Sequence, residues 1–388
     1  MPIKTPIYLD TASTTPVDSF VVSKMMSFLG VEGCYANPSS TAHRLGQEAA
    51  SAIAVARKTV AAEFRCKSDE IIFTSGATEA NNMALLGIAR AYSSRGGHIV
   101  TSAIEHKSVL ECCHALEREG FEITYLTPNS AGWIDAESVK QVLRPDTLMV
   151  SLMHTNNETG VQQPIPAIAE ILTEAGILFH VDAAQAAGKF LLDLDEIPID
   201  MLSVSAHKFH GPKGAGCLIV RNRRRLHMKP LIYGGGQEFN LRSGTLATHQ
   251  IVGFSEALRI AANNREHDLA HVTKLKLFFL AQLRSKLPIQ VNGDIEHSSP
   301  YIMNISLAGI SSDALINQLL NEIAISSGSA CSSGTIEPSY VLRAMGIEGD
   351  ALYGAVRISF SRHHSVNEIT QAVTSIIAAV YRIQALSE

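Results

Sequence analysis

The chain has 388 residues with a formal net charge of −5, and 46% of its residues are hydrophobic while 18% are charged. At about 150 residues per domain this length predicts roughly two to three domains, and the composition is that of an ordinary globular protein. The acidic balance gives no electrostatic reason to expect nucleic-acid binding. No apolar run approaches the roughly 18 residues that span a bilayer, and the first residues lack a signal-peptide pattern, so we expect no membrane partner.

Seven short apolar runs predict strands, and several are nearly continuous in apolar residues, which is typical of strands covered on both faces. They lie at 71–73, 98–102, 123–126, 148–153, 177–182, 201–205 and 216–220. Helical patterns at 79–91, 107–118 and 166–175 lie between them. This alternation predicts an α/β fold with a mostly parallel, seven-stranded sheet.

The pattern of predicted strands and helices changes past about residue 255. A long helical stretch at 254–287 leads to short strands near 301–307 and 356–361, which predicts a second, smaller α+β domain. We expect a large domain at 15–255, and a small domain made of 1–14 and 256–388.

Two strand ends carry groups that fit one cofactor. Lys208 follows a strand within SVSAHKFHGPKG (203–214), and Asp182 ends the run ILFHVD. The carboxyl ends of parallel strands are where α/β sheets present ligand-binding groups. Pyridoxal phosphate needs a lysine for a Schiff base and an acid beside its ring nitrogen, although an ordinary ion pair between the two residues is an alternative.

Two further segments follow strands. TSGATEANN (74–82) places Thr78 before a predicted helix, where free N–H groups and the helix dipole suit a phosphate; a simple Thr cap is the alternative. His106, in AIEHKS, is suited to stack on a cofactor ring and to handle protons, and a purely structural histidine is the alternative. We expect no metal site, because we expect no HxxxH or HxH grouping of histidines on one element.

The six cysteines show irregular spacing and no CxxC pair, so we expect free thiols in a reducing compartment, the cytoplasm. Cys331 differs from the other five because it lies within SSGSACSSG (326–334), where small residues allow wide backbone freedom. This composition favours a thiolate that travels between two places, with a spare loop thiol as the alternative. The other five are interpreted as inert packing residues.

Taken together, these motifs resemble the cysteine desulfurases of the NifS/IscS family, which are fold-type-I pyridoxal-phosphate enzymes. The likeness covers nearly the whole chain, and the SSGSAC form is similar to the branch with a longer, mobile catalytic loop. In chain order the motifs are IYLDTASTTPVD, NPSSTAH, FTSGATEANN, EHKSV, HTNNETGV, HVDAAQAAG, SVSAHKFHGPKG, GGGQE with RSGTL, SSGSACSS, EPSYVLRAMG and VRISFSR.

The resemblance implies a role for each matching residue. Lys208 would bind the cofactor covalently, Asp182 would pair with its ring nitrogen, and Gln185 would hydrogen-bond its ring hydroxyl. His106 would stack on the ring, and Cys331 would receive the sulfur. The remaining implied contacts are Ala77, Thr78, Ser205 and His207 to the phosphate, Thr245 to the phosphate of a neighbouring subunit in a homodimer, Asn157 to the cofactor, and Asn157 with Arg357 to the substrate carboxylate.

The implied reaction converts L-cysteine to L-alanine and leaves a persulfide on Cys331 for a protein acceptor. That acceptor would belong to iron–sulfur cluster assembly, tRNA thiolation or DNA phosphorothioation. Two departures leave the acceptor and the surroundings of Arg357 open: VRISFSRHHS differs from the usual family segment, and the longer C-terminal tail of the IscS branch is absent. The alternatives are a selenocysteine lyase or aminotransferase on the same fold, or a non-catalytic scaffold.

Overall fold

The computed structural model describes residues 6–94, 97–327 and 338–387. Within these ranges the strands are β1 (Ile7–Tyr8), β2 (Ile71–Thr74), β3 (His98–Ser102), β4 (Glu122–Leu126), β5 (Thr147–Met153), β6 (Leu178–Asp182), β7 (Met201–Ser205), β8 (Gly216–Val220), β9 (Ile289–Val291), β10 (Ile302–Leu307), β11 (Ile323–Ala324) and β12 (Ala355–Ser359). The helices are α1 (Ser19–Met26), α2 (Arg44–Glu63), α3 (Ala77–Tyr92), α4 (Lys107–Arg118), α5 (Ala136–Gln141), α6 (Ile165–Ala175), α7 (Thr248–Arg284), α8 (Ser312–Leu319), α9 (Tyr340–Ala344), α10 (Gly349–Tyr353) and α11 (Val366–Ser387).

The seven predicted strands form one sheet in the order β2-β8-β7-β6-β5-β3-β4. In this sheet β8 runs antiparallel to the other six strands. Successive residues of one strand contribute to different cores, as Ile99 packs in one cluster and Val100 in another. Both faces are therefore covered, and the predicted α/β class is confirmed.

A second core lies around the antiparallel sheet β12-β10-β9, with helices α7, α8 and α11 packed against it. It includes Leu9 and Ala12 from the amino-terminal segment. The long helix α7 serves both cores, because Phe254 and Leu258 pack in the first and Val272 in the second. The predicted domain boundaries at 14/15 and 255/256 stay a prediction, since the two cores meet along this helix.

One helical stretch of the described residues, Val366–Leu386, is long and apolar enough to cross a membrane by length and composition. Its apolar side is buried in the second core, where Ile369, Val373 and Ile376 pack. Packing against the small sheet therefore accounts for the buried apolar residues of α11, while Val366, Tyr381 and Leu386 stay exposed.

The expectation that no HxxxH grouping lies on one element is wrong for one pair. His267 and His271 lie one turn apart on α7, and their rings are parallel with centroids 6.4 Å apart. Across the ranges that the structure describes, no group of three histidine, cysteine, aspartate or glutamate residues is arranged to hold a metal ion.

Candidate active site

A cavity of about 520 Å³ lies at the carboxyl ends of the parallel strands, between the large sheet and β12. The amino-terminal segment closes one side of it with Ala12 and Ser13. Residues distant in sequence meet here because strand ends of one parallel sheet face the same edge. Of the residues singled out from the sequence, its wall contains Ala77, Thr78, His106, Asn157, Asp182, Gln185, Ser205, His207, Lys208 and Arg357.

Lys208 ends the short 3₁₀ turn Ala206–Lys208 that follows β7. Its Nζ donates to the carbonyl oxygens of Ala12 at 2.6 Å and Ser13 at 2.8 Å. Burial, with a contribution from the positive charge of Arg357, lowers the pKa of Lys208 to about 8. About a tenth of this amine is therefore uncharged and nucleophilic at pH 7, far more than for an ordinary lysine.

Asp182, at the end of β6, accepts a hydrogen bond from Asn81 Nδ2 at 2.7 Å and another from the backbone N–H of Ala184. Asp182 and Lys208 form no ion pair among the described residues, so the alternative of a simple ion pair is wrong. Other residues hold both side chains in place, and the hydrogen-bonding positions that they leave free face the cavity.

Asn81 and Ser108 connect Asp182 to His106, and the sequence analysis missed both. Asn81 Nδ2 also donates to Ser108 Oγ at 2.8 Å, and Ser108 Oγ lies 2.8 Å from His106 Nδ1. His106 Nδ1 accepts from the backbone N–H of Ser108 as well. We therefore assign the proton of the neutral imidazole to Nε2. Burial lowers the pKa of His106, which favours that neutral form.

His106 also has the structural role that was the alternative to catalysis, because it is the N-cap of α4. Its position on the cavity wall makes the two roles compatible, since Nδ1 caps the helix and Nε2 is left for other partners.

The amino terminus of α3 opens on the same cavity. The helix begins at Ala77, two residues earlier than predicted, with Gly76 at its N-cap. Gly76 has a φ of +146°, and a Cβ there would lie 3.3 Å from Ser205 Oγ. Thr78 is thus inside the first turn, and the alternative of a Thr cap is wrong. The uncapped N–H groups and the helix dipole suit a phosphate.

Arg357 on β12 forms the opposite wall. Its Nη2 donates to Asp10 Oδ1 at 2.8 Å and to Ser13 Oγ at 2.6 Å, and its Nη1 donates to the Asn157 carbonyl at 2.9 Å. Within the described ranges Arg357 Nε and Asn157 Oδ1 are buried with no hydrogen-bond partner. Buried polar atoms are costly when unpaired, so these two atoms point to a polar ligand in the cavity.

Two of the singled-out residues do not line this cavity. Thr245 is exposed. It lies three residues after Arg242, which forms a 2.7 Å ion pair with Glu79 on the cavity wall. Its implied contact is to a neighbouring subunit, so its absence from this wall does not contradict that role. Cys331 lies outside the described residues.

Four of the other cysteines are poor nucleophiles by burial. Burial raises the pKa of Cys66 and of Cys112 to about 12, and it also raises the pKa of Cys113 and of Cys217. Because the thiolate is the reactive form, these thiols fit the packing role expected for them.

The aminotransferase class-V family model matches residues 7–372. The chain belongs to this family. It is 45% identical over 385 residues to the cysteine desulfurase IscS of Vibrio cholerae serotype O1 (strain M66-2), covering 99% of this chain and 95% of the relative. The resemblance to the NifS/IscS cysteine desulfurases is thereby confirmed.

Two solved structures agree with this result. A NifS-like protein superposes with a TM-score of 0.91 at 34% identity, covering 97% of this chain and 100% of that one. The protein SspA, solved in complex with cysteine, superposes with a TM-score of 0.82 at 37% identity, covering 92% of this chain and 100% of that one.

Pyridoxal phosphate is the cofactor of the class-V cysteine desulfurases, so the predicted cofactor is confirmed. The residues present fit it. A partly uncharged lysine, a carboxylate at a strand end and an uncapped helix amino terminus share one cavity, and Gly76 keeps the helix end clear of side-chain bulk.

Proposed function

We propose that this class-V protein is a pyridoxal-phosphate-dependent cysteine desulfurase that converts L-cysteine to L-alanine and carries the sulfur as a persulfide on Cys331. The observation that carries the proposal is the convergence of Lys208, Asp182 and His106 on one cavity beside the amino terminus of α3. Support for the substrate comes from the similarity to IscS and to the cysteine complex of SspA.

When bound, pyridoxal phosphate supplies an electron-withdrawing ring that stabilises negative charge at the substrate Cα. Lys208 would hold the cofactor covalently, and its amine, with a pKa lowered to about 8, is suited to move a proton at that carbon. Asp182 would keep the ring nitrogen protonated. Asn81, which donates to Asp182 Oδ2, keeps this carboxylate in place.

The other residues of the cavity bind and orient. Ala77 and Thr78 would offer the phosphate the N–H groups of the first turn of α3, with Ser205 and His207 beside them. Gln185 would contact the ring hydroxyl, while Asn157 and Arg357 would bind the substrate carboxylate by charge-assisted hydrogen bonds.

Sulfur transfer requires a nucleophile, and Cys331 is the candidate from its sequence setting. Its thiolate would attack the substrate sulfur, so that an S–S bond forms while the C–S bond breaks. The substrate carbon keeps the electron pair and takes a proton, which gives alanine and a Cys331 persulfide. His106, with its proton on Nε2, is suited to handle a proton in this exchange.

The activity is tested on purified protein by measuring sulfide and alanine from L-cysteine in the presence of a reducing thiol. Cys331→Ala is expected to keep the cofactor absorbance and to yield no sulfide, while Cys34→Ala, a partly exposed control cysteine, keeps both. Lys208→Ala is expected to lose the absorbance of the covalently bound cofactor. Full turnover by Cys331→Ala, or formation of a keto acid in place of sulfide, would refute the proposal.

The functional unit is proposed to be a homodimer. Thr245 is exposed and is expected to contact the phosphate in a neighbouring subunit. Large apolar side chains are also exposed at Phe20, Val31, Tyr35 and Tyr233, and burying side chains of this kind in a subunit interface would be favourable. Sedimentation of the wild type should give the mass of two chains, and Thr245→Ala should weaken cofactor binding without dissociating the dimer. A monomer with full activity would contradict this assembly.

The sulfur would pass to an acceptor protein in the cytoplasm. The iron–sulfur, tRNA-thiolation and DNA-phosphorothioation pathways are the candidate destinations. A pull-down from native cells, followed by transfer of radioactive sulfur from Cys331 to the captured protein, identifies the acceptor. Capture of a membrane protein or of nucleic acid in its place would contradict the proposal.

A further inference from the structure

Lys189 is a buried lysine beside the cavity with no part in the reaction described above. Its relative exposure is 7%, and its Nζ donates to Gln185 Oε1 at 2.9 Å. The same ammonium lies over the ring of Tyr301, 5.4 Å from the centroid, where the π face attracts a cation. Burying an amine is costly, and the contacts with Gln185 and Tyr301 offset that cost.

That neighbour is Gln185, whose amide has two partners of opposite kind. Its Oε1 accepts from Lys189, while its Nε2 donates to the Ala12 carbonyl at 2.8 Å. If the amide turned over, its NH₂ group would face the ammonium and its carbonyl would face another carbonyl. The contact with Ala12 would be repulsive whatever the charge of Lys189, and the contact with Lys189 would be repulsive when its amine is charged, so the two together favour one orientation of the amide.

In this orientation Gln185 has a hydrogen-bond donor free for the cavity. The NH₂ group has two hydrogens, and Ala12 takes one of them, which leaves the other for an acceptor in the cavity that Gln185 lines. The ionised ring hydroxyl of pyridoxal phosphate is such an acceptor. The Ala12 carbonyl also accepts from Lys208 Nζ, so Gln185, which Lys189 contacts, shares one backbone acceptor with the cofactor-binding lysine.

We propose that Lys189 is a positioning residue that fixes the amide of Gln185, so that Gln185 donates a hydrogen bond to the ring oxygen of the cofactor. The inference rests on the cofactor assignment of the proposed function. It assigns to Lys189 a task that a hydrophobic side chain of similar volume cannot perform.

Several charges surround Lys189 and bear on the test. Lys208 and Arg357 act on it from the cavity side. Asp268 and Arg362 share with it a small second cavity of about 30 Å³. Burial, followed by the charges of Lys208 and Arg357, lowers the pKa of Lys189 to about 7. Charge and orientation effects must therefore be separated by experiment.

The first test is a pH titration of the cofactor absorbance in the holoenzyme of Lys189→Met. A hydrogen bond donated to the ring oxygen withdraws electron density from it and makes the cofactor–lysine linkage easier to deprotonate. Loss of that bond is expected to raise the titration midpoint by about one pH unit. A midpoint equal to that of the wild type would overturn the proposal.

Lys276 provides a matched control, because it is a second buried lysine with 6% exposure. It donates to Ser298 Oγ and the Ser299 carbonyl, and neither residue lines the cavity. Lys276→Met is expected to lose stability as Lys189→Met does, yet to titrate at the wild-type midpoint. A shift of equal size in both variants would assign the effect to general loss of stability and would overturn the proposal.

The second test separates orientation from charge with Gln185→Leu. Alone, this variant is expected to raise the midpoint, and adding Lys189→Met is expected to raise it no further. A full additional shift in the double variant would mean that Lys189 acts by its charge and not through Gln185. If Lys189→Met does not fold, Lys189→Gln replaces it, since glutamine keeps a polar end but is one atom too short to reach Gln185. If the wild-type protein shows no cofactor absorbance, the proposed function itself is refuted.

Discussion

Replacement of Asn81 by alanine is expected to lower the free energy of unfolding of the cofactor-free protein by about 2.5–4 kcal/mol. Asn81 is fully buried in α3, and its Nδ2 donates to Asp182 Oδ2 at 2.7 Å and to Ser108 Oγ at 2.8 Å. A hydrogen bond to a charged group contributes about 1.5–3 kcal/mol and one between neutral groups about 1 kcal/mol. The sum of the two gives the expected loss.

The assay is equilibrium urea unfolding followed by circular dichroism, with Asn82→Ala as the matched control. Asn82 is the next residue of α3, and its Nδ2 donates to the Thr78 carbonyl of the same helix. Both substitutions gain the same helix propensity, so the comparison isolates the buried hydrogen bonds. Asn82→Ala is expected to stay within about 0.5 kcal/mol of the wild type.

Equal unfolding curves for the two variants would refute this reasoning, since they would mean that Asp182 does not depend on Asn81. Desulfurase turnover provides a second measurement. Because Asn81 holds the carboxylate proposed to pair with the ring nitrogen, Asn81→Ala is expected to lower kcat, whereas Asn82→Ala leaves it unchanged.

Three further predictions follow from the same geometry. Burial lowers the pKa of Lys276 from 10.5 to about 8, so the unfolded chain binds more protons between these values and the stability contribution of Lys276 rises with pH across that window. In urea titrations the stability of the wild type relative to Lys276→Met should therefore increase from about pH 8 to about pH 10, and a constant difference would contradict the shift. In an equilibrium titration, Gly76→Ala should bind the cofactor about tenfold or more weakly, because its φ of +146° strains any other residue. The control Gly30→Ala should bind the cofactor normally, because a Cβ there would meet nothing within 4 Å. Arg357→Lys should raise the KM for L-cysteine about tenfold or more through loss of the forked guanidinium. The control Arg362→Lys, which loses contacts to Asp18 and Asp268, should leave the KM unchanged. Equal KM values for the two variants would argue against Arg357 as the carboxylate ligand.

The large sheet was predictable because its strands are covered on both faces and read as continuous apolar runs. All seven predicted runs lie in that sheet. The two-residue strands β1 and β11 carry no such signal, since each is too short to show a period. The start of α7 at Thr248 was placed six residues too late, because its first turn packs on the first core and lacks a capping side chain.

Strand-end positions made the main site residues predictable, because parallel strands bring their carboxyl ends together. The supporting residues were not predictable in the same way. Asn81 lies within an apolar helical stripe beside Ala80 and Met83, and Lys189 follows the apolar run AAQAAG. A polar residue among apolar neighbours indicates a buried hydrogen bond, but the sequence does not say which residue is its partner, because tertiary packing decides that. The roles of the site residues and the domain boundaries stay predictions.

The amino-terminal segment joins the two halves of the molecule at the chemical centre. Ile7 pairs with Ile323 of β11, Asp10 bridges to Ser359 of β12, and Thr15 donates to the carbonyl of His207. A few peptide units thus connect the small sheet mechanically to the lysine that carries the cofactor. Any displacement of the small half would move the carbonyls of residues 12 and 13. Deletion of the segment that contains β1 would therefore disturb catalysis before it disturbed folding of the large sheet.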